Sequence, residues 1–186
     1  MTLHRMFDAS VPPARAYPGC AAVAGYIGGA TPHVWTLPEW ERFSAYRQLP
    51  IWVKAGSGTP LSQARQAATK AAGMGWRPFA THRRWIVLDM ETWDDPPFVS
   101  DFAVTLHKQG FGCLVYGSAS SVYGNPHADG YWVADWDGIP TLENFPDIKI
   151  HQYADNVPWD GGAVDLSVLP DDALLHLGRG PRRLVP

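Results

Sequence analysis

The chain has 186 residues, 46% hydrophobic and 18% charged, a balance that fits one compact domain with a core and excludes a disordered chain. No apolar run approaches the roughly 20 residues of a membrane helix, and Met1 to Asp8 holds no apolar stretch of signal-peptide length. A net charge of −3 argues against a nucleic-acid partner.

Short apolar runs punctuated by Gly and Pro follow one another along the chain. Leu3 to Phe7 reads as a first strand ending at Asp8, and Pro12-Pro13 breaks the chain after it. Ala21 to Ile27 is a second strand, closed by Gly28-Gly29. Pro38 to Tyr46 is predicted to be a short helix, with Trp40 and Phe43 at helical spacing. Ile51 to Val53 is a third strand. Ala55 to Pro60 lacks the Lys-Ser/Thr ending of a phosphate loop and reads as a plain turn. Thr59-Pro60 then opens the clearest helix, which ends at Gly73 or Gly75. Trp85 to Leu88 is a strand with Asp89 and Glu91 at its end, and Phe98 to Lys108 is helical by pattern. Phe111 to Tyr116, Tyr131 to Trp136, Ile148 to Tyr153 and Ala163 to Leu169 are further strands, the first of them closed by the polar turn Gly117 to Ser121.

Strands alternating with helices predict a parallel α/β architecture, and runs apolar throughout suit strands buried on both faces. Eight strands in one chain predict a closed, TIM-like barrel, irregular because its last three strands carry little helix. The barrel is expected over residues 1–178 and a flexible tail over 179–186. Cys20 and Cys113 stand in no metal-type spacing and read as two free thiols or a single disulfide. Nine Trp are many for this length and serve either as core or as platforms for flat ligands.

In such a barrel the functional groups gather where the strands end. Those ends carry Asp8, Tyr26, Lys54, Asp89, Glu91, Tyr116, Asp135, Trp136, Asp137, Gln152 and Tyr153, and Asp165 stands near the start of the eighth run. Residues two apart on a strand share a face, so Asp89 and Glu91 point the same way. Two close acids push their pKa values apart, which suits one to donate a proton while the other stays charged. An ion pair of one acid with Arg83 or Arg84, or a loop-capping role, is the alternative. Trp136, Trp93, Tyr26 and Tyr153 are candidates to stack on sugar rings; Trp52 and Trp85, within strands, read as packing. His151 reads as a hydrogen-bonded strand histidine or as a groove residue. A divalent ion among the four carboxylates is a further alternative.

Six segments, in order and spanning almost the whole chain, resemble the family 25 glycoside hydrolases (lysozymes) and related glycoside-hydrolase-like domains of actinobacteria and their phages. They are Phe7-Asp8-Ala9-Ser10, Val87-Leu88-Asp89-Met90-Glu91, Val115-Tyr116-Gly117-Ser118, Tyr131-Trp132-Val133-Ala134-Asp135-Trp136, His151-Gln152-Tyr153 and Val164-Asp165-Leu166-Ser167. The resemblance implies a barrel of five strand–helix units followed by three strands with little helix. It implies Glu91 as general acid, and Asp89 as the residue that stabilises the positive centre or orients the substrate's N-acetyl group. Asp8 and Asp165 would line the groove, and Tyr116 its pocket. The implied substrate is peptidoglycan, cut between N-acetylmuramic acid and N-acetylglucosamine, with no metal or organic cofactor. Asp135, Trp136, Gln152, Tyr26 and Tyr153 complete the expected groove. Glycan strands are then the partner, nucleic acid and membrane are not, a monomer is expected, and the site of action is the cell wall, from outside or delivered by phage. A catalytically inactive wall-binding or phage structural domain on the same barrel is the alternative function.

Overall fold

The computed structural model describes residues 2–78, 82–90, 95–122, 124–142 and 147–179. Strand β1 (Leu3–Asp8) is followed by β2 (Cys20–Gly29), helix α1 (Leu37–Glu41), β3 (Arg47–Val53), α2 (Pro60–Gly73), β4 (Arg84–Asp89), α3 (Pro96–Lys108) and β5 (Phe111–Ser118). Then come α4 (Ala119–Val122), β6 (Gly130–Ala134), β7 (Ile148–Trp159), β8 (Gly162–Pro170), α5 (Asp171–His176) and β9 (Gly178–Arg179). Strands β1 to β7 pair in parallel, each with the next. Strand β8 closes the ring, antiparallel to both β7 and β1. The result is the expected closed barrel of eight strands, with β9 added antiparallel to the start of β3.

Alternation along the strands sorts the apolar side chains into two cores. Met6, Ala24, Leu49, Ile51, Val87, Leu114, Trp132 and Ile150 fill the inside of the barrel. Phe7, Val23, Ile86, Leu88, Val115 and Val133 face outward and meet Ala64, Ala67, Ala71, Phe102 and Leu106 of the helices. Both faces are therefore dry, which is why the strands read as unbroken apolar runs. Most of the tryptophans serve packing. Trp35, Trp40 and Trp76 form a chain of rings with centroids 4.8 Å apart at each step, and Trp52 and Trp85 are buried as expected. This ring cluster holds α1 against the sheet so closely that a Cβ on Gly25 would stand 2.6 Å from the Trp35 ring.

Helices α1 to α4 follow β2, β3, β4 and β5, and α5 follows β8; four strand–helix units therefore stand where five were expected, because Pro12, Pro13 and Pro18 leave no uninterrupted helical turn in the crossover from β1 to β2. Helix α1 is shorter than the predicted 38–46. Past Glu41 the backbone tightens into three-residue turns, Phe43 N–H to Trp40 O and Tyr46 N–H to Phe43 O. Helix α2 matches its cap reading: the Thr59 hydroxyl accepts from the Ser62 N–H, and Pro60 takes the first position. Both cysteines are free thiols, and burial pushes the Cys20 thiol up to about 11. Pairing continues one residue past the expected domain end, Arg179 standing opposite Arg47, while 180–186 lie outside the described residues.

Candidate active site at the barrel mouth

The seven parallel strands run the same way, so their last residues gather at one end. Strand β8 runs against them, which brings Asp165, near its start, to that same end opposite Asp8. Asp89 is the register partner of Tyr116 on β5 and of Val53 on β3. Asp8 is 4% exposed and Asp89 6%, so both carboxyl groups sit inside the wall of the mouth, while Asp165 and Tyr26 are half-buried.

Gln152 ties the cluster together. It is fully buried, and its Oε1 accepts from the Tyr116 hydroxyl and from the Trp136 indole Nε1, both at 2.8 Å. An indole only donates, so the atom it meets must be the amide oxygen. The amide nitrogen therefore faces the two aspartates and donates to Asp8 at 3.4 Å and Asp165 at 3.5 Å. Like charges directly opposite on neighbouring strands repel, and this shared donor offsets the repulsion. The Asn156 backbone N–H adds a 2.7 Å bond to Asp165. Below this layer Trp132 donates to the buried Ser167 hydroxyl at 3.1 Å.

Of the sequence candidates, Asp8, Asp89, Tyr116, Gln152, Asp165, Tyr26 and Trp136 meet at this mouth. Trp136 is 57% exposed, so its ring lies open to solvent while its nitrogen is anchored. Asp135 is exposed and joins through its backbone, its N–H bonding the Gln152 carbonyl. Tyr153 does not belong to the cluster. It follows Gln152 on β7 and so faces the outer core, where burial, opposed by the charge of Arg5, pushes its hydroxyl up. His151 is fully buried, with one ring nitrogen at the Thr141 carbonyl and the other at the Asp135 carbonyl. It holds the loop that carries Trp136 and does not line the groove. Glu91 and Trp93 lie outside the described residues. For the alternative in which one of the two acids pairs with Arg83 or Arg84, the arginines have these described partners. Arg83 reaches Asp129, and Arg84 bonds the carbonyls of Leu175 and Leu177 at the other end of β4.

Three features at the mouth go beyond the sequence reading, which placed Lys54 at a strand end but gave it no partner. Lys54, at the end of β3, is buried and pairs with Asp95 at 2.9 Å, lying over the Phe98 ring. Asp95 also caps α3, accepting from Phe98 N–H at 3.1 Å, and its bond to Lys54 holds its carboxyl below the usual value. The Asp95-Pro96-Pro97 start signal was there to be read. Buried Gln63 wires the loop after β3, bonding Trp52 Nε1, the Ala55 N–H and the carbonyls of Ala55 and Ser57. Finally, β7 and β8 extend beyond the barrel as a hairpin turned at Asp160-Gly161, both at positive φ, the signature of a two-residue loop. This hairpin is tied to the β1–β2 crossover by the Arg15–Asp160 ion pair and by Trp159 Nε1 donating to the Arg15 carbonyl. A cleft of about 340 Å³ runs between the two, with Ser10, Asn156, Trp159 and Asp165 on its walls.

Among the described residues no group of three or more His, Cys, Asp or Glu is arranged to hold a metal ion. The arrangement presents buried carboxylates to one opening, which suits a reaction that builds positive charge there.

No family model matches the sequence, and no curated protein matches it. Solved structures do. An uncharacterized protein of B. stearothermophilus superposes with a TM-score of 0.70 at 15% identity, over 94% of this chain and 100% of that one. A bacterial lysozyme from Streptomyces coelicolor gives 0.65 at 16% identity, over 93% and 96%. A family 25 glycosyl hydrolase from Bacillus anthracis gives 0.64 at 13% identity, over 91% and 90%. The fold of this chain is thus the irregular barrel of the family 25 glycosyl hydrolases and bacterial lysozymes, matched over nine tenths of its length.

Proposed function

We propose that the chain is a glycoside hydrolase of lysozyme type. It acts on the glycan strands of peptidoglycan at the cell wall and cleaves between N-acetylmuramic acid and N-acetylglucosamine. The observation that carries this reading is the joining of Asp8, Asp165, Tyr116 and Trp136 through Gln152, on the same mouth where β4 delivers Asp89. Glycoside cleavage passes through a sugar ring carrying positive charge at its anomeric carbon. A mouth lined by carboxylates stabilises that charge, and does so more strongly because Asp8 and Asp89 are shielded from water. In this reading Glu91, two residues beyond Asp89, protonates the leaving oxygen. Asp89 faces the developing charge or orients the N-acetyl group. The open face of Trp136 stacks on a sugar ring, and the cleft beside Asp165 takes the strand onward.

The test is release of soluble saccharide from purified peptidoglycan, with co-sedimentation measured on the same samples. Glu91→Gln and Asp89→Asn are expected to bind the wall and release nothing. Release by wild type should survive chelation of divalent ions. A wild-type protein that sediments with the wall and releases nothing at any pH is instead a wall-binding domain on this barrel.

A further inference from the structure

The opposite end of the barrel carries a separate feature, independent of the reading of the mouth. Arg47 begins β3, Arg84 begins β4, Arg179 lies on β9, and Arg77 follows α2. All four line one cavity of about 420 Å³, together with Gly75, Trp76 and Gly178. Among the described residues no carboxylate lines it. Two carboxylates at this end are engaged elsewhere: Asp129 by Arg83 and His107, and Asp171 by His4. Arg47 and Arg179 are direct register partners across the β3–β9 pair, an arrangement of like charges that costs stability unless an anion sits between them. Burial, and after it the charge of Arg47, pulls the Arg84 guanidinium below its usual value. Trp76, on the same wall, is buried with an indole Nε1 that has no acceptor among the described residues. Four guanidinium groups in a concave site of an otherwise acidic chain make a focused positive field.

We propose that this cavity is a binding site for phosphate groups, with Arg47, Arg77 and Arg179 as its ligands and Arg84 as a fixed background charge. Guanidinium forks match phosphate oxygens two at a time, which favours phosphate over a halide. The phosphate is supplied either as the free ion or as the phosphodiesters of an anionic polymer.

Calorimetric titration of the full chain with inorganic phosphate, pyrophosphate and synthetic poly(glycerol phosphate) tests this. The two protein variants Arg47→Gln/Arg77→Gln and Arg65→Gln/Lys70→Gln lose the same charge, the second from exposed positions on α2. The first pair is expected to weaken binding by about tenfold or more and the second to leave it near wild type. Arg77→Gln/Arg179→Gln, both exposed, repeats the test without altering the first residue of β3. A wild-type melting temperature raised by phosphate but not by chloride at equal ionic strength is a second expected result. Tighter binding of the polymer per phosphate identifies the phosphodiester source, and equal binding identifies the free ion. Equal weakening in both variants, or no binding of any of the three probes, overturns the proposal.

Discussion

Replacing Gln152 by Glu changes one atom and reverses the electrostatics of the mouth. One oxygen still accepts from Tyr116 and Trp136. The other takes the place of a nitrogen that stands 3.4 Å from Asp8 and 3.5 Å from Asp165. Two unit charges at that separation repel by about 5 kcal/mol at an effective dielectric constant of about 20, and there are two such pairs. The new carboxyl avoids this by taking a proton, after which its single O–H donates to one of the two aspartates where the amide served both. The penalty is then set by protonation. From an ordinary value of about 4.3, holding the proton at about pH 7 costs about 3.5–4 kcal/mol. The sign follows: the folded-state pKa of the new Glu is raised, so the loss is full above that value and fades as the pH falls towards about 4.3. Urea unfolding of both proteins is expected to give a gap of about 3–4 kcal/mol at about pH 7, closing to under about 1 kcal/mol at about pH 4.5. A gap of the same size at both pH values, or none at about pH 7, would refute the claim that this amide faces two charged aspartates.

Other outcomes follow from single contacts. Trp136→Ala removes an exposed ring and its bond to Gln152, and should lower stability by about 1 kcal/mol while slowing saccharide release about tenfold or more; unchanged release removes Trp136 from the substrate path. Gly25→Ala puts a Cβ 2.6 Å from the Trp35 ring and should cost about 1–3 kcal/mol or more, read as a lowered denaturation midpoint; a wild-type midpoint contradicts the packing described. Asp95 has a lowered carboxyl pKa, chiefly through its bond to Lys54. Its stabilisation is present above the ordinary value of 3.8 and is lost as the pH falls through the lowered one. Asp95→Asn should therefore be less stable than wild type at neutral pH, by up to about 1 kcal/mol, and equal to it in strong acid.

The strands were legible because both faces of this sheet are buried, so each strand is a run of apolar residues, and polar residues interrupt it only where it meets the mouth. That interruption marked Asp8, Asp89 and Gln152. Tyr153 was misplaced for a reason that strand geometry itself supplies. With Ile150 inside the barrel, a period of two puts Gln152 inside and Tyr153 outside. The outer half of β7 was missed because residues 154–159 face solvent in part and show no apolar run, whereas β8 was read to within one residue at each end; Asp160-Gly161 was the one local signal of the hairpin. Contacts between residues far apart in the chain left no sequence trace. Lys54 with Asp95, Gln152 with Asp8, and the four arginines round one cavity become neighbours only once the ring closes.

The most direct test of the central claim is mass spectrometry of the soluble fragments released from purified peptidoglycan by wild type and by Glu91→Gln. Fragments ending in reducing N-acetylmuramic acid are expected from the wild type and none from the variant. Fragments ending in reducing N-acetylglucosamine, or equal release by both proteins, would contradict it.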